Sequence, residues 1–238
     1  MRFPFETPSA AVLVRVDRPA GEWVLRRRET AGGRRRYEVI LNGRLLMDTA
    51  DGSSEEALAE IGLARCGGGR ALRVLVGGLG FGFTLRAVLR DPRVAAVEVV
   101  ELEPALAGFL ATPEVAGELG PAGLEDSRVA LRVADVRERI AAAEASWDCI
   151  LLDVDNGPEA PSAAGNEALY TEAGLGACRR ALRPGGALAI WSSEPTPGGL
   201  ARMRAVFGEA EERLVPVARD GRTLEYRILC AARADAAA

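Results

Sequence analysis

The sequence predicts an α/β protein: a doubly wound, mostly parallel Rossmann-like sheet with an antiparallel C-terminal hairpin, preceded by a small N-terminal β unit. Three observations carry this. From residue 71 onward, short apolar runs alternate with helical segments, the pattern of repeated βα units. The first of those runs leads into a loop with glycine at 77, 78, 80 and 82. Before residue 50 the chain reads instead as short alternating runs separated by turn signals, with Asn42-Gly43 the strongest of them.

The N-terminal runs are Ala11–Val16, Glu22–Arg28, Tyr37–Leu41 and Arg44–Met47, divided at Pro19-Ala20-Gly21, Gly32-Gly33 and Asn42-Gly43. Ser53 followed by Glu56 predicts a capping box, Ser at the N-cap and Glu three residues on, opening a helix with Leu58, Ile61 and Leu63 apolar. Cys66–Gly69 ends it. The expected division is therefore residues 1–66, a β unit plus connecting helix, and residues 67–238, a catalytic domain.

In the second part strands are expected at Leu72–Val76, Val94–Val100, Val129–Val133, Cys149–Leu152 and Ala187–Trp191. Helices are expected at Phe83–Leu89, Pro104–Leu119 with a break near Pro113, Val136–Ala145, Ala173–Leu182 and Leu200–Val206. Arg213–Val217 and Leu224–Cys230 close as a hairpin around Asp220-Gly221.

Composition narrows the chemistry. The 238 residues carry 30 basic and 34 acidic side chains, net charge -4, and every basic residue is arginine; lysine, histidine and glutamine are absent. No Ser-His-Asp or Cys-His unit, His-ligated metal, Schiff-base lysine or GxxxxGK phosphate loop can be built. A proton acceptor must be a carboxylate, Tyr, Cys, water or a cofactor. Cys66, Cys149, Cys178 and Cys230 lack CxxC spacing, so neither a zinc site nor a redox pair is expected, and a reduced cytoplasmic setting follows. The opening residues lack a signal-peptide core, and no apolar run approaches the ~20 residues of a membrane helix. Residues 1–50 hold ten Arg against six acids. The triplets Arg26–Arg28 and Arg34–Arg36 have little aromatic interleaving, so a solvated hairpin is preferred to a nucleic-acid patch.

Candidate site residues lie at successive strand ends. Gly78, Gly80 and Gly82 allow a sharp turn and close approach of a ligand to the backbone. A dinucleotide fingerprint would place a third glycine at Phe83, which disfavours an NAD-linked dehydrogenase. Glu101 ends the second strand of this domain, 21 residues after Gly80, where a carboxylate can accept both ribose hydroxyls of a nucleoside. Asp135 follows the third strand and can accept an adenine amino group, with Leu102 and Val136 on either face of the ring. The fourth strand delivers Asp153, then Asp155 and Asn156, before a long loop containing Glu159 and Tyr170. Paired acids there suit a cationic amine as ligand and as proton donor.

These residues resemble the spermidine synthase group of polyamine aminopropyltransferases, from about residue 36 to 195. The resemblance rests on the N-terminal β unit, the Ser53–Ile61 helix, the glycine loop, Val99–Pro104, Val133–Asp135, Trp147–Asp153, Leu169–Thr171 and Ala181–Gly186. The last segments are also widespread among class I methyltransferases. The resemblance implies Glu101 as the ribose ligand, Asp135 as the adenine ligand, and Asp153 as base or electrostatic partner for the acceptor amine. Asp155 and Tyr170 join Asp153 as candidate catalytic residues. Glu55, Glu56 and Asn156 are candidate acceptor contacts. It also implies S-adenosylmethionine or its decarboxylated form as co-substrate, no metal, and a homodimer or homotetramer.

Two departures bear on the reaction. Phe81 stands where spermidine synthases carry an Asp that meets the donor's aminopropyl amine. Glu55 and Glu56 stand where the family's acceptor helix has Tyr followed by Gln or His. Loss of the Asp removes a partner for an ammonium and a source of repulsion against a carboxylate. Methyl transfer to an amine is therefore expected slightly ahead of aminopropyl transfer. A catalytically silent nucleoside-binding or assembly protein is the remaining alternative.

Overall fold

The computed structural model describes residues 10–18, 21–30, 33–67, 71–119, 122–154, 156–159, 165–219 and 222–234. The chain divides into two compact units, Met1–Asp51 and Gly52–Ala238.

The first unit is a four-stranded antiparallel sheet in sequence order. Its strands are β1 (Ala10–Arg18), β2 (Gly21–Glu29), β3 (Arg35–Leu41) and β4 (Arg44–Asp48). Asn42 and Gly43 both have positive φ, 52° and 76°, the geometry of a two-residue hairpin whose twist matches its flanking strands. Arg26–Arg28 sit on β2 and Arg35 and Arg36 on β3, with Arg34 just before it. Arg26 and Arg28 both pair with the buried carboxylate of Glu38. Part of the basic excess therefore neutralises an internal acid, as burial of a charge requires.

The second unit is a seven-stranded sheet in the order β10-β11-β9-β8-β5-β6-β7. Its parallel strands are β5 (Leu72–Gly77), β6 (Val94–Glu101), β7 (Val129–Val133), β8 (Trp147–Leu152) and β9 (Leu182–Ser192). The helices are α1 (Ser53–Arg65), α2 (Phe83–Arg90), α3 (Pro104–Leu110), α4 (Pro113–Leu119), α5 (Val136–Ala141), α6 (Glu172–Ala181) and α7 (Pro197–Phe207). Val74, Leu75 and Val76 of β5 and Cys149–Leu152 of β8 are buried. These central strands are apolar on both faces because helices cover both. β10 (Glu211–Arg219) and β11 (Arg222–Ala232) form the hairpin. β11 inserts antiparallel beside β9, which leaves β10 at the edge running with the parallel set. The antiparallel strand is thus internal, not the edge.

Several boundaries differ from the sequence reading. The division falls after Asp51, not at 66, because α1 packs on the second unit. Gly62 of α1 lies so close to the sheet that a Cβ there would come within 2.4 Å of Leu151 Cδ2. The N-cap of α1 is Gly52, and Ser53 is already helical. Instead of closing a capping box, Glu56 pairs with Arg90 of α2 at 2.9 Å. Helix α5 stops four residues early. Ala145 adopts φ 40° and donates its N–H to the Arg180 carbonyl at 2.9 Å, turning the chain into β8. The 3-10 turn Asn166–Tyr170 sits inside what reads as loop. The break at Pro113 separates α3 from α4 as expected.

Candidate active site

The strand ends are bound to one another through the backbone. Asp153 N donates to the Gly77 carbonyl at 2.8 Å, and Gly78 N donates to the Val100 carbonyl at 2.9 Å. Gly78 has φ 88°. A Cβ there would stand 2.1 Å from the Asp153 carbonyl oxygen, so only glycine allows the loop to lie against the tip of β8. Gly80 (φ 51°) and Gly82 (φ 80°) complete the turn, and Gly82 is the left-handed N-cap of α2. Phe81 is withdrawn from solvent, and its carbonyl accepts Arg86 Nη1 at 3.0 Å.

Glu101 is buried and braces this loop. Its Oε2 accepts Leu79 N at 2.8 Å and its Oε1 accepts Glu103 N at 2.7 Å. Burial raises its carboxyl above the usual range, with the backbone N–H groups opposing that rise. A carboxylate can accept about four hydrogen bonds, so capacity beyond these backbone donors is left for a ligand hydroxyl. Leu102, next along, is 60% exposed.

Asp135 is the N-cap of α5 and accepts Arg137 N at 2.8 Å. Its carboxylate is also gripped by the Arg137 guanidinium, at 2.5 Å from Nη2 to Oδ2, which holds its pKa below the ordinary value. Arg137 in turn lies against Gly165: a Cβ there would come within 2.1 Å of Nη1. Val136 is buried beneath the glycine loop, 3.0 Å from where a Gly77 Cβ would stand. Of the two side chains expected to flank an adenine ring, Leu102 is open and Val136 belongs to the core.

The Asp153 side chain meets α1 and α2. Its Oδ2 accepts Thr84 Oγ1 at 2.8 Å. The same hydroxyl lies 3.3 Å from the Glu55 carbonyl, so its single proton serves one partner at a time. The Glu55 carboxylate accepts Ser54 Oγ at 2.5 Å. Burial foremost, and then the like charge of Glu55, push the Asp153 carboxyl up to about 7 while the Thr84 bond opposes. A proton acceptor poised near neutrality, beside a second carboxylate, is what deprotonating an ammonium requires.

The remaining candidates scatter. Asp155 lies outside the described residues. Glu56 faces Arg90. The Asn156 carbonyl accepts Ser193 N and Ser193 Oγ, both at 3.0 Å. Glu159 Oε1 accepts Gly199 N at 2.9 Å. Both contacts tie the start of the β8–α6 connection to the β9–α7 turn. Tyr170 is buried in the cluster that includes Val136, Leu169 and Leu175, and its carbonyl accepts Arg202 Nε at 2.7 Å. Sequence reasoning missed Thr84 and Arg137. The available signal for Thr84 was its place in the first turn of the helix leaving the glycine loop. For Arg137 it was the Asp-x-Arg spacing at a helix start. Among the described residues no cluster of three or more metal-ligating side chains occurs. No described helix is long and apolar enough to cross a membrane.

Sheet order, glycine loop and acids at successive strand ends together define a Rossmann-like α/β domain. No family model matches the chain. Over 157 residues it is 32% identical to polyamine aminopropyltransferase 2 of Streptomyces coelicolor, covering 66% of this chain and 27% of that protein. It is 30% identical over 158 residues to polyamine aminopropyltransferase 1 of the same organism, covering 66% and 28%. It is 32% identical over 155 residues to the polyamine aminopropyltransferase of Prochlorococcus marinus, covering 62% and 52%. The chain thus spans between a quarter and about half the length of these curated relatives. A solved spermidine synthase from Thermotoga maritima superposes with TM-score 0.73 at 19% identity, covering 94% of this chain and 74% of that one. A spermidine synthase in complex with the transition state analogue AdoDATO gives 0.72 at 19% identity, covering 94% and 73%. The chain resembles polyamine aminopropyltransferases in sequence and spermidine synthases in fold.

Proposed function

We propose that this chain transfers an aminopropyl group from decarboxylated S-adenosylmethionine to a small cationic amine. The observation that carries the reading is the sequence similarity to aminopropyltransferases over about two thirds of the chain. This reverses the order of preference drawn from Phe81 alone. The charge absent at Phe81 has a counterpart in Glu55, close enough to Asp153 to raise its carboxyl. Two carboxylates, one at the tip of β8 and one at the start of α1, attract an ammonium and repel the carboxylate of intact S-adenosylmethionine.

In this reading Glu101 holds the ribose hydroxyls and Asp135 meets the adenine edge. Asp153, near neutrality, takes the proton of the attacking amine, with Glu55 stabilising the cation. The reaction is an in-line displacement at the carbon next to a sulfonium, so alignment of amine and donor supplies most of the rate. The roles of Asp155, Asn156, Glu56 and Tyr170 as further substrate contacts belong to the same proposal. So do a cytoplasmic setting and self-association as a homodimer or homotetramer.

The test is product analysis with a diamine and either donor. Release of methylthioadenosine from decarboxylated S-adenosylmethionine supports aminopropyl transfer. Release of S-adenosylhomocysteine from S-adenosylmethionine supports methyl transfer, the reading that Phe81 favours. Calorimetry showing no binding of either donor or of methylthioadenosine sinks both.

A further inference from the structure

Two cysteines that sequence spacing kept apart meet where the end of α1 crosses the start of β8. Cys66, the C-cap of α1, places its Sγ 3.4 Å from the Gly62 carbonyl and 3.2 Å from the Asp148 carbonyl. Cys149 follows Asp148 on β8, and its Sγ stands 3.4 Å from where a Gly62 Cβ would be. Both thiols are buried and free, and both sulfurs lie against Gly62 and the Asp148–Cys149 backbone. The expectation that no redox pair exists rested on linear spacing, and the fold removes that ground.

We propose that Cys66 and Cys149 form an oxidation site, taking a small hydroperoxide and closing to a disulfide that ties α1 to β8. The chemistry around the two sulfurs is unequal. Arg93 anchors its Nη2 on the Leu63 carbonyl at 3.0 Å, which brings its guanidinium to the end of α1 beside Cys66. The Cys149 side chain, with Arg93 behind it, draws the Cys66 thiol below its ordinary pKa. The Cys66 side chain, with full burial, pushes Cys149 well above. The two other cysteines lack this asymmetry: burial pushes Cys178 up to about 12 and Cys230 up to about 11.

Cys66, the less buried of the two and the one at the helix end where Arg93 is anchored, is therefore the attacking sulfur, reacting as its thiolate. It displaces hydroxide from the peroxide and becomes the sulfenic acid. The Cys149 sulfur then attacks the Cys66 sulfur, the S–O bond breaks, and water leaves with the Cys149 proton. Overall two thiols and one hydrogen peroxide give one disulfide and two waters. The bridge joins the helix that carries Glu55 to the strand that delivers Asp153, without touching either acid.

The experiment is brief exposure of the folded 238-residue chain to hydrogen peroxide, then intact mass and a non-reducing peptide map. The expected result is loss of two hydrogens, a linked Cys66–Cys149 peptide and full reversal by dithiothreitol. In Cys149→Ser the Cys66 sulfenic acid persists and is trapped by dimedone; in Cys66→Ser neither bridge nor adduct forms at Cys149. The proposal is overturned if the wild type, shown folded by circular dichroism, keeps all four thiols. It is equally overturned by a bridge between other cysteines, or by oxygen accumulating on Cys66 while Cys149 stays free. If either variant fails to fold, the wild-type peptide map decides alone.

Discussion

Thr84 Oγ1 and Asp153 Oδ2 lie 2.8 Å apart, joining the first turn of α2 to the tip of β8. The bond stabilises the ionised carboxylate, against burial and the nearby Glu55, which favour the neutral acid. The proton affinity of Asp153 is therefore set by burial and by three groups, Glu55, Thr84 and Glu101, and each group can be altered.

If Asp153 must be ionised to accept the amine proton, activity rises with pH through a step near pH 7. Glu55→Gln removes a like charge and should move that step to lower pH. Thr84→Val removes a hydrogen bond to the charged form and should move it to higher pH. Each displacement is expected to be about half to one pH unit. Profiles of kcat/KM against pH for the three proteins check the direction. Movement of both variants the same way would remove Asp153 as the titrating group.

The same carboxyl affects stability. Its pKa is 3.8 ordinarily and about 7 in the folded chain. Between those values the folded chain binds more protons than the unfolded one, so stability falls as pH rises across that window. Asp153→Asn cannot ionise and escapes this loss. It is expected to exceed the wild type by about 4 kcal/mol at pH 8, and to differ little at pH 4. Urea titrations at the two pH values read the difference; equal gains at both would point to packing rather than charge. In activity the same variant should lose about 100-fold or more in kcat.

Gly78→Ala should weaken the whole second unit. The added methyl meets the Asp153 carbonyl at 2.1 Å, and the backbone is already at φ 88°. A cost of about 2–4 kcal/mol is expected, because backbone has to move on both sides of the contact. Gly108→Ala, inside α3 and with nothing within 4 Å of the new methyl, is the control and should stabilise by about 0.5–1 kcal/mol. Thermal melts of the pair test the contrast.

Glu101→Gln keeps the shape of the carboxylate but turns one acceptor into an NH2 donor. That donor must face Leu79 N or Glu103 N, both of which donate, leaving one of them unsatisfied. Affinity for methylthioadenosine is expected to fall about 10- to 100-fold, with stability reduced by about 1–3 kcal/mol. Calorimetry and urea titration on one preparation measure both. Undiminished nucleoside affinity would remove Glu101 from the ribose site.

Much of the second unit was legible because its signals are local. Buried strands read as apolar runs, Pro113 breaks a helix wherever it stands, and a glycine loop followed by an acid at the next strand end is a short-range pattern. The positions of Gly78, Glu101 and Asp153 followed from it. The insertion of β11 between β9 and β10 did not, because strand order depends on which edges pair across the sheet, and neighbouring residues do not encode that. The helix boundary at Ser53 misread the cap for a similar reason: Glu56 had a distant partner in Arg90 that outcompeted the local box.

At the site, the sequence by itself determined the kinds of group available. Without lysine or histidine, any proton acceptor had to be a carboxylate, Tyr, Cys, water or a cofactor, and the order of the acids along the chain placed them at strand ends. Only the tertiary structure decided which of them interact. It set Glu55 against Asp153, turned Glu56 toward Arg90, closed Arg137 on Asp135, and brought Cys66 to Cys149. Residue type follows from covalent structure and survives unfolding. Proton affinity and partnership arise from burial and from charges a few ångströms away, and those distances exist only once helices and strands from far-separated segments have packed.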